Sequence, residues 1–198
     1  MPTTYTIKLK NKSGMDHDYF LFVEAPIVKS GSKVYQNVYI SSPSVADGSG
    51  TATFTCFAEY YAICGTSPNK ALGSKVTVST ADSSAVQVCQ GPTKLGTHEG
   101  SRASNTNDLL ANQFIGLGAQ DPNDPSNIVP IAVFDAIPGT QNYVQPHATF
   151  YISWGTFTAG QIIDVTTVAT PVKIDFTGKN NPNATVVHNN DGTWTLTQ

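Results

Sequence analysis

Short runs in which apolar and polar residues alternate recur along the whole of this chain, each closed by a cluster of Gly, Pro, Asn, Asp or Ser. A period of two sends successive side chains to opposite faces, so such runs make half-buried strands and the clusters supply their turns. Thr4 to Asn11 is the clearest case, with Tyr5, Ile7 and Leu9 on one face and Thr6, Lys8 and Lys10 on the other. No stretch sustains a helical period. Composition agrees: only 13% of residues are charged, about half the usual share, and Ser, Thr and Asn stand where Lys and Glu normally would. The pattern predicts an all-β fold, an antiparallel β-sandwich of roughly 10–14 strands, with a closed β-barrel as the alternative. Its 198 residues suit a single domain over 1–198, two packed subdomains being the other arrangement.

Tyr19 to Val28 is apolar on both faces, Phe20 and Phe22 opposing Leu21 and Val23, which predicts a central strand that Pro26 bends or ends. Further strands are expected at Lys33–Ile40, Gly50–Cys56, Tyr60–Cys64, Lys75–Ser79, Ala85–Cys89, Gln113–Leu117, Ile128–Ala136, Ala148–Trp154, Gln161–Thr167, Pro171–Phe176, Ala184–His188 and Thr193–Thr197. Asp191-Gly192 between the last two predicts a type I′ hairpin. A long polar loop is expected around 90–112, with Asn107 capping one helical turn. A second loop, from Gly118 to Asn127, is stiffened by Pro122 and Pro125.

Several function classes are excluded. The net charge is −3 and Arg102 is the only arginine, so no nucleic-acid partner is expected, because phosphate neutralisation takes clustered cations. Lys8, Lys10 and Lys12 share one face of the first strand and read as a solvated edge. The longest apolar run, Ile128 to Phe134, is broken by Pro130 and falls far short of the ~20 residues of a membrane-spanning helix. The start, Met1-Pro2-Thr3-Thr4-Tyr5, has no basic and apolar leader, so a cytoplasmic location is expected, or a secreted one if a leader has been trimmed. Cys56, Cys64 and Cys89 cannot complete a disulfide framework and read as three buried thiols behaving as small hydrophobes, a Cys56–Cys64 bridge being the unsupported alternative. Nucleophile elbow, zinc-protease, C-x-x-C and phosphate-loop motifs are missing, and Gly116-Leu117-Gly118 lacks the third glycine of a dinucleotide loop. No cofactor is expected. Asp16-His17-Asp18 is too local to converge on a metal, and Asp121/Asn123 is followed by Pro125 at the third calcium-ligand position.

The residues able to carry chemistry fall into two groups. For catalysis, His98, Glu99 and Arg102 place a base, a carboxylate and a guanidinium close together in the long loop. Glu24 and Asp135 sit on strongly apolar strands, where a carboxyl is either desolvated with a raised pKa or reaches water at a strand end. For ligand binding, Tyr35 and Tyr39 flank Gln36 and Asn37, Glu59 precedes Tyr60 and Tyr61, and His147 shares a polar face with Thr149, Tyr151 and Ser153. Aromatic rings beside amides and carboxyls suit a sugar, whose ring face stacks while its hydroxyls hydrogen-bond.

The succession of Tyr5-Thr6-Ile7-Lys8-Leu9, Tyr19-Phe20-Leu21-Phe22, Tyr60-Tyr61-Ala62-Ile63-Cys64-Gly65-Thr66 and Lys173-Ile174-Asp175-Phe176-Thr177-Gly178 resembles a group of small fungal all-β proteins lacking an established function. The opening strand with its Asn11-Lys12-Ser13-Gly14 turn is also similar to fungal aegerolysins and fruit-body lectins. The resemblance implies a fungal source and a role in ligand binding or specialised metabolism, and supplies no residue roles. Three functions follow as expectations. The first is a lectin-like or small-molecule binding module for a carbohydrate or small apolar metabolite. The second is a cofactor-independent cyclase or isomerase acting in an apolar cavity between sheets, through Glu24, His98, Arg102 or Asp135. The third is a structural protein that self-associates as a homo-oligomer, its low charge leaving sheet edges little protected.

Overall fold

The computed structural model describes residues 4–28, 33–69, 71–78, 87–88, 93–96, 113–135 and 141–198. They contain seventeen strands and no α-helix, in largely antiparallel sheets that do not close into a barrel: a β-sandwich. The strands are β1 (Thr4–Lys12), β2 (His17–Val23), β3 (Ile27–Val28), β4 (Val34–Val45), β5 (Thr51–Phe57), β6 (Tyr60–Thr66), β7 (Thr77–Val78), β8 (Gln87–Val88) and β9 (Thr93–Gly96). They continue with β10 (Gln113–Gln120), β11 (Ile128–Asp135), β12 (Gln141–Gln145), β13 (Thr149–Trp154), β14 (Ile162–Ile163), β15 (Val172–Asp175), β16 (Asn183–Asn189) and β17 (Trp194–Thr197).

A small sheet runs β17-β16-β1-β5 and a large one runs β15-β13-β2-β4-β11-β10-β6-β7, with β14 on β4 and β8 on β6. A third sheet joins β3, β12 and β9. The alternation in β1 decides how the first two meet. Tyr5, Ile7 and Leu9 turn inward and are buried against Tyr19, Leu21 and Val23 of β2, Phe150 and Ile152 of β13 and Phe54 of β5 in one continuous core. β2 is buried on both faces, as its sequence predicts, because Phe20 and Phe22 meet Val38, Ile163 and Phe157 in a second cluster behind the large sheet. β2 itself ends at Val23, ahead of Pro26.

Several expectations are corrected. The lysine stripe does not mark an edge: β1 lies inside the small sheet, parallel to β16 and antiparallel to β5, and Lys8 and Lys12 point to solvent from its outer face. The Asp191-Gly192 turn is not type I′, because Gly192 alone has positive φ, at 78°. The Gly192 N–H donates to the Asn189 carbonyl and the Asn189 N–H to the Thr193 carbonyl, the pattern of a type I turn closed by a glycine bulge. Asp191 accepts from the backbone and hydroxyl of Thr193. Strands β9 and β12 fall where the sequence offers no alternation. Gly116 serves packing, since a Cβ there would lie 2.2 Å from the Ala132 carbonyl oxygen on β11. Cys56 is buried and not disulfide-bonded, and no Cys56–Cys64 bridge forms.

Replacing a β1-facing core side chain will test this arrangement. Phe54→Ala should lose about 3–5 kcal/mol of stability in urea denaturation, whereas Lys8→Ala should stay within about 0.5 kcal/mol of the parent.

Candidate functional site

At the end of the sandwich where β1 begins, the two sheets part around a cleft of about 350 Å³. Four segments supply its wall: Tyr5 at the start of β1, Ala58 and Tyr60 at the β5–β6 turn, Gln145 to Ala148 between β12 and β13, and Phe176 to Gly178 after β15. Tyr5 stacks on Phe176 with ring centroids 4.5 Å apart, so its wall is aromatic and firmly held. The Tyr60 hydroxyl donates to the His147 carbonyl at 3.1 Å, fixing the loop that carries the imidazole. Burial raises the pKa of both phenols, which therefore stay protonated and act as hydrogen-bonding groups rather than as bases.

Behind His147 lies the one polar cluster that the sequence foreshadowed in part. Glu24 follows β2 directly, its N–H donating to the Thr149 carbonyl, and its side chain turns toward β13 and β15. Oε1 accepts from the Tyr151 hydroxyl at 3.0 Å and from Lys173 Nζ at 3.1 Å, while Oε2 stands 3.9 Å from His147 Nδ1. Register explains the meeting, for Tyr151 lies opposite both Lys173 on β15 and Phe22 on β2. Burial is the largest single influence on Glu24 and pushes its pKa up. The hydrogen bonds from Lys173 and Tyr151, with the charges of Lys173 and His147, outweigh it and hold the carboxyl below its ordinary value. Of the two expectations for Glu24, the raised pKa is reversed, because the strand end brings the carboxyl to Lys173. Tyr151 is raised in turn, first by burial and then by Glu24.

The other candidates are dispersed. Tyr39 is a core residue whose hydroxyl donates to the Gln120 carbonyl. Tyr35 packs edge-on against Phe114 with Lys33 over its ring. Tyr61 donates to Glu59 at 3.3 Å, away from the cleft wall. Asp135 is half-buried at the end of β11, opposite Phe114, and does not line the cleft. His98, Glu99 and Arg102 lie outside the described residues, as do Cys89 and Asn107. Asp16 and Asp18 spend their oxygens on the backbone N–H groups of Asp47 and Ser44. Asp121 holds its own turn through the Asn123 N–H. Among the described residues no three His, Cys, Asp or Glu side chains gather as a metal site, and no helix is long and apolar enough to cross a membrane. Sequence reasoning missed Tyr5, Phe176 and Lys173, and named Tyr151 only as sharing a polar face with His147. The strand period signals that Tyr5 points inward, but not that it reaches the rim.

Comparison with known proteins adds one finding. The family model RhiA matches residues 2–198. The chain belongs to the RhiA family. No curated protein and no solved structure matches it, and the likeness to fungal all-β proteins, aegerolysins and lectins rests on the sequence motifs alone. The match spans nearly the whole of this RhiA-family chain, so the cleft and the Glu24 cluster both lie within the family's extent.

The Glu24 cluster makes a pH-dependent prediction. Because its folded pKa is depressed, Glu24 contributes stability that is present above the ordinary value of 4.5 and lost as pH falls through the folded pKa. In a carboxyl-detected NMR titration, Glu24 should titrate below that value in the parent and move upward in Lys173→Met. An unchanged midpoint in that variant would refute the ion pair.

Proposed function

We propose that this RhiA-family protein is a non-catalytic binding module whose end cleft takes a neutral, ring-bearing small ligand, a sugar residue being the chemistry that suits it best. The observation that carries the reading is the wall itself. Tyr5, Tyr60 and Phe176, each at most 6% exposed, give it an aromatic floor, and Gln145, His147 and Thr177 offer donors and acceptors. Among the described residues no Lys, Arg, Asp or Glu side chain lines it. A charged ligand entering such a cleft would shed water without gaining a partner, whereas a sugar rests its apolar C–H groups on the aromatic floor and uses its hydroxyls on the polar rim. Glu24 and Lys173 stand behind His147 and neutralise each other. A small apolar metabolite would fit the aromatic faces but leave the polar groups unmatched. Catalysis by Glu24 is disfavoured because the carboxylate is ionised and already paired with Lys173.

Self-association has one observation behind it. The small-sheet edge strand β5 carries no charged residue and, among the described residues, pairs with β1 alone, the kind of edge that accepts another strand.

Screening neutral saccharides by array and then by calorimetry tests the first reading. A binder should be found whose affinity falls at least about tenfold, or ~1.4 kcal/mol, in His147→Ala and stays unchanged in Lys8→Ala. Failure of a folded, monomeric sample to bind any neutral saccharide would overturn it. Size-exclusion chromatography with light scattering decides the second, since β5-mediated pairing should disappear in Thr53→Lys.

A further inference from the structure

The end of the sandwich opposite the cleft holds a group of rings that ligand binding leaves unused. β2 enters there at His17, β16 brings His188 there, β17 begins there with Trp194 and β13 ends there with Trp154. The His188 ring is only 3% exposed. It lies flat on Trp194, centroids 4.2 Å apart and planes 16° from parallel, and its Nδ1 is 2.9 Å from the Tyr19 hydroxyl. His17 completes the group, its ring 5.4 Å from His188 and 4.7 Å from Trp154. These contacts join the sheets, for His17 and Tyr19 belong to the large one and His188 and Trp194 to the small one. Trp194 is tied further by its Nε1–H donating to the Thr170 carbonyl.

The protonation states follow from the chemistry. Burial pushes the Tyr19 phenol up to about 12, so it keeps its proton and donates, which makes Nδ1 of a neutral His188 the acceptor. Adding a proton to His188 turns Nδ1 into a donor, breaks that match and buries a cation. Among the described residues no neighbouring carboxylate is aimed to compensate. From the β1–β2 and β4–β5 turns, Asp16 and Asp47 accept backbone N–H groups of Asp47 and Gly14, and on β2 Asp18 accepts that of Ser44. Opposite His188 on β1 stands the neutral Asn11, its amide spent on the Met15 and Val45 carbonyls. The face of Trp194 attracts a cation, but burial first and His17 second hold His188 below the ordinary imidazole value of 6.5.

We infer that the Tyr19–His188–Trp194 stack is a proton-operated latch between the two sheets: on acidification, protonation of His188 beside His17 releases the β16–β17 hairpin from β2. The sign is fixed by linkage. The folded state disfavours the protonated ring, so the latch is at full strength above 6.5 and weakens as pH falls below it, where the released form binds more protons.

Hydrogen exchange followed by mass spectrometry, corrected for intrinsic rates, tests this on the whole chain. Between about pH 7.5 and about pH 5.5, protection over residues 183–197 should fall about tenfold, the factor that one pH unit of differential proton affinity supplies, while residues 113–135 hold theirs. His188→Gln keeps an acceptor for Tyr19 and cannot be protonated, so it should abolish the loss. His17→Gln removes the neighbouring like charge and should diminish it. Trp154 and Trp194 are the only tryptophans in the chain, so fluorescence excited selectively at tryptophan reads protonation at this end. Fluorescence that titrates without any change in exchange, or an equal loss of protection in folded His188→Gln or His17→Gln, would overturn the latch.

Discussion

The parallel ladder between β1 and β16 is the constraint on which the rest of the sandwich hangs. It pairs Thr6 through Lys12 with Asn183 through Asn189, joining the first strand of the chain to the last but one. With β5 on its other side, β1 becomes the centre of the small sheet, and its Tyr5, Ile7 and Leu9 become the plug that fills the large sheet's inner face. Such a pairing closes a loop of nearly the whole chain before it yields any contact, so it is costly in entropy and forms slowly. Burial of the β1 side chains is what offsets that cost.

Much of this was legible in the residues themselves. The alternation of Thr4 to Asn11 gives the buried face of β1 correctly, and the doubly apolar Phe20 to Val23 gives a strand covered on both sides. Periodicity cannot give the neighbours of a strand, which is why Lys8 and Lys12 read as an edge although they stand on a central strand. Nor does it reveal β12, whose sequence Gln141-Asn142-Tyr143-Val144-Gln145 shows no apolar alternation, although Val144 is buried. The hairpin at Asp191-Gly192 was legible as a hairpin but not by turn type, because an added bulge residue lets Gly192 alone take positive φ.

The site was half legible for the same reason. Tyr60 and His147 carry the right chemistry and meet at the cleft, while Tyr39, of identical type, is spent in the core. What separates them is strand register, a long-range property. Glu24 illustrates the point most sharply: its apolar neighbours argue for a raised pKa, and a lysine far along the chain reverses the sign.

The cleft wall is drawn from four segments far apart in the chain, so it exists only while the sheets are docked. Any occupant is therefore also a structural clamp. At a free concentration one hundredfold above its dissociation constant it would add about 2.7 kcal/mol to the folded state, a large share of what a domain of this kind has to spare. Filled and empty forms would then differ in how long they resist heat and proteolysis, so that occupancy of the cleft would be recorded in the lifetime of the protein.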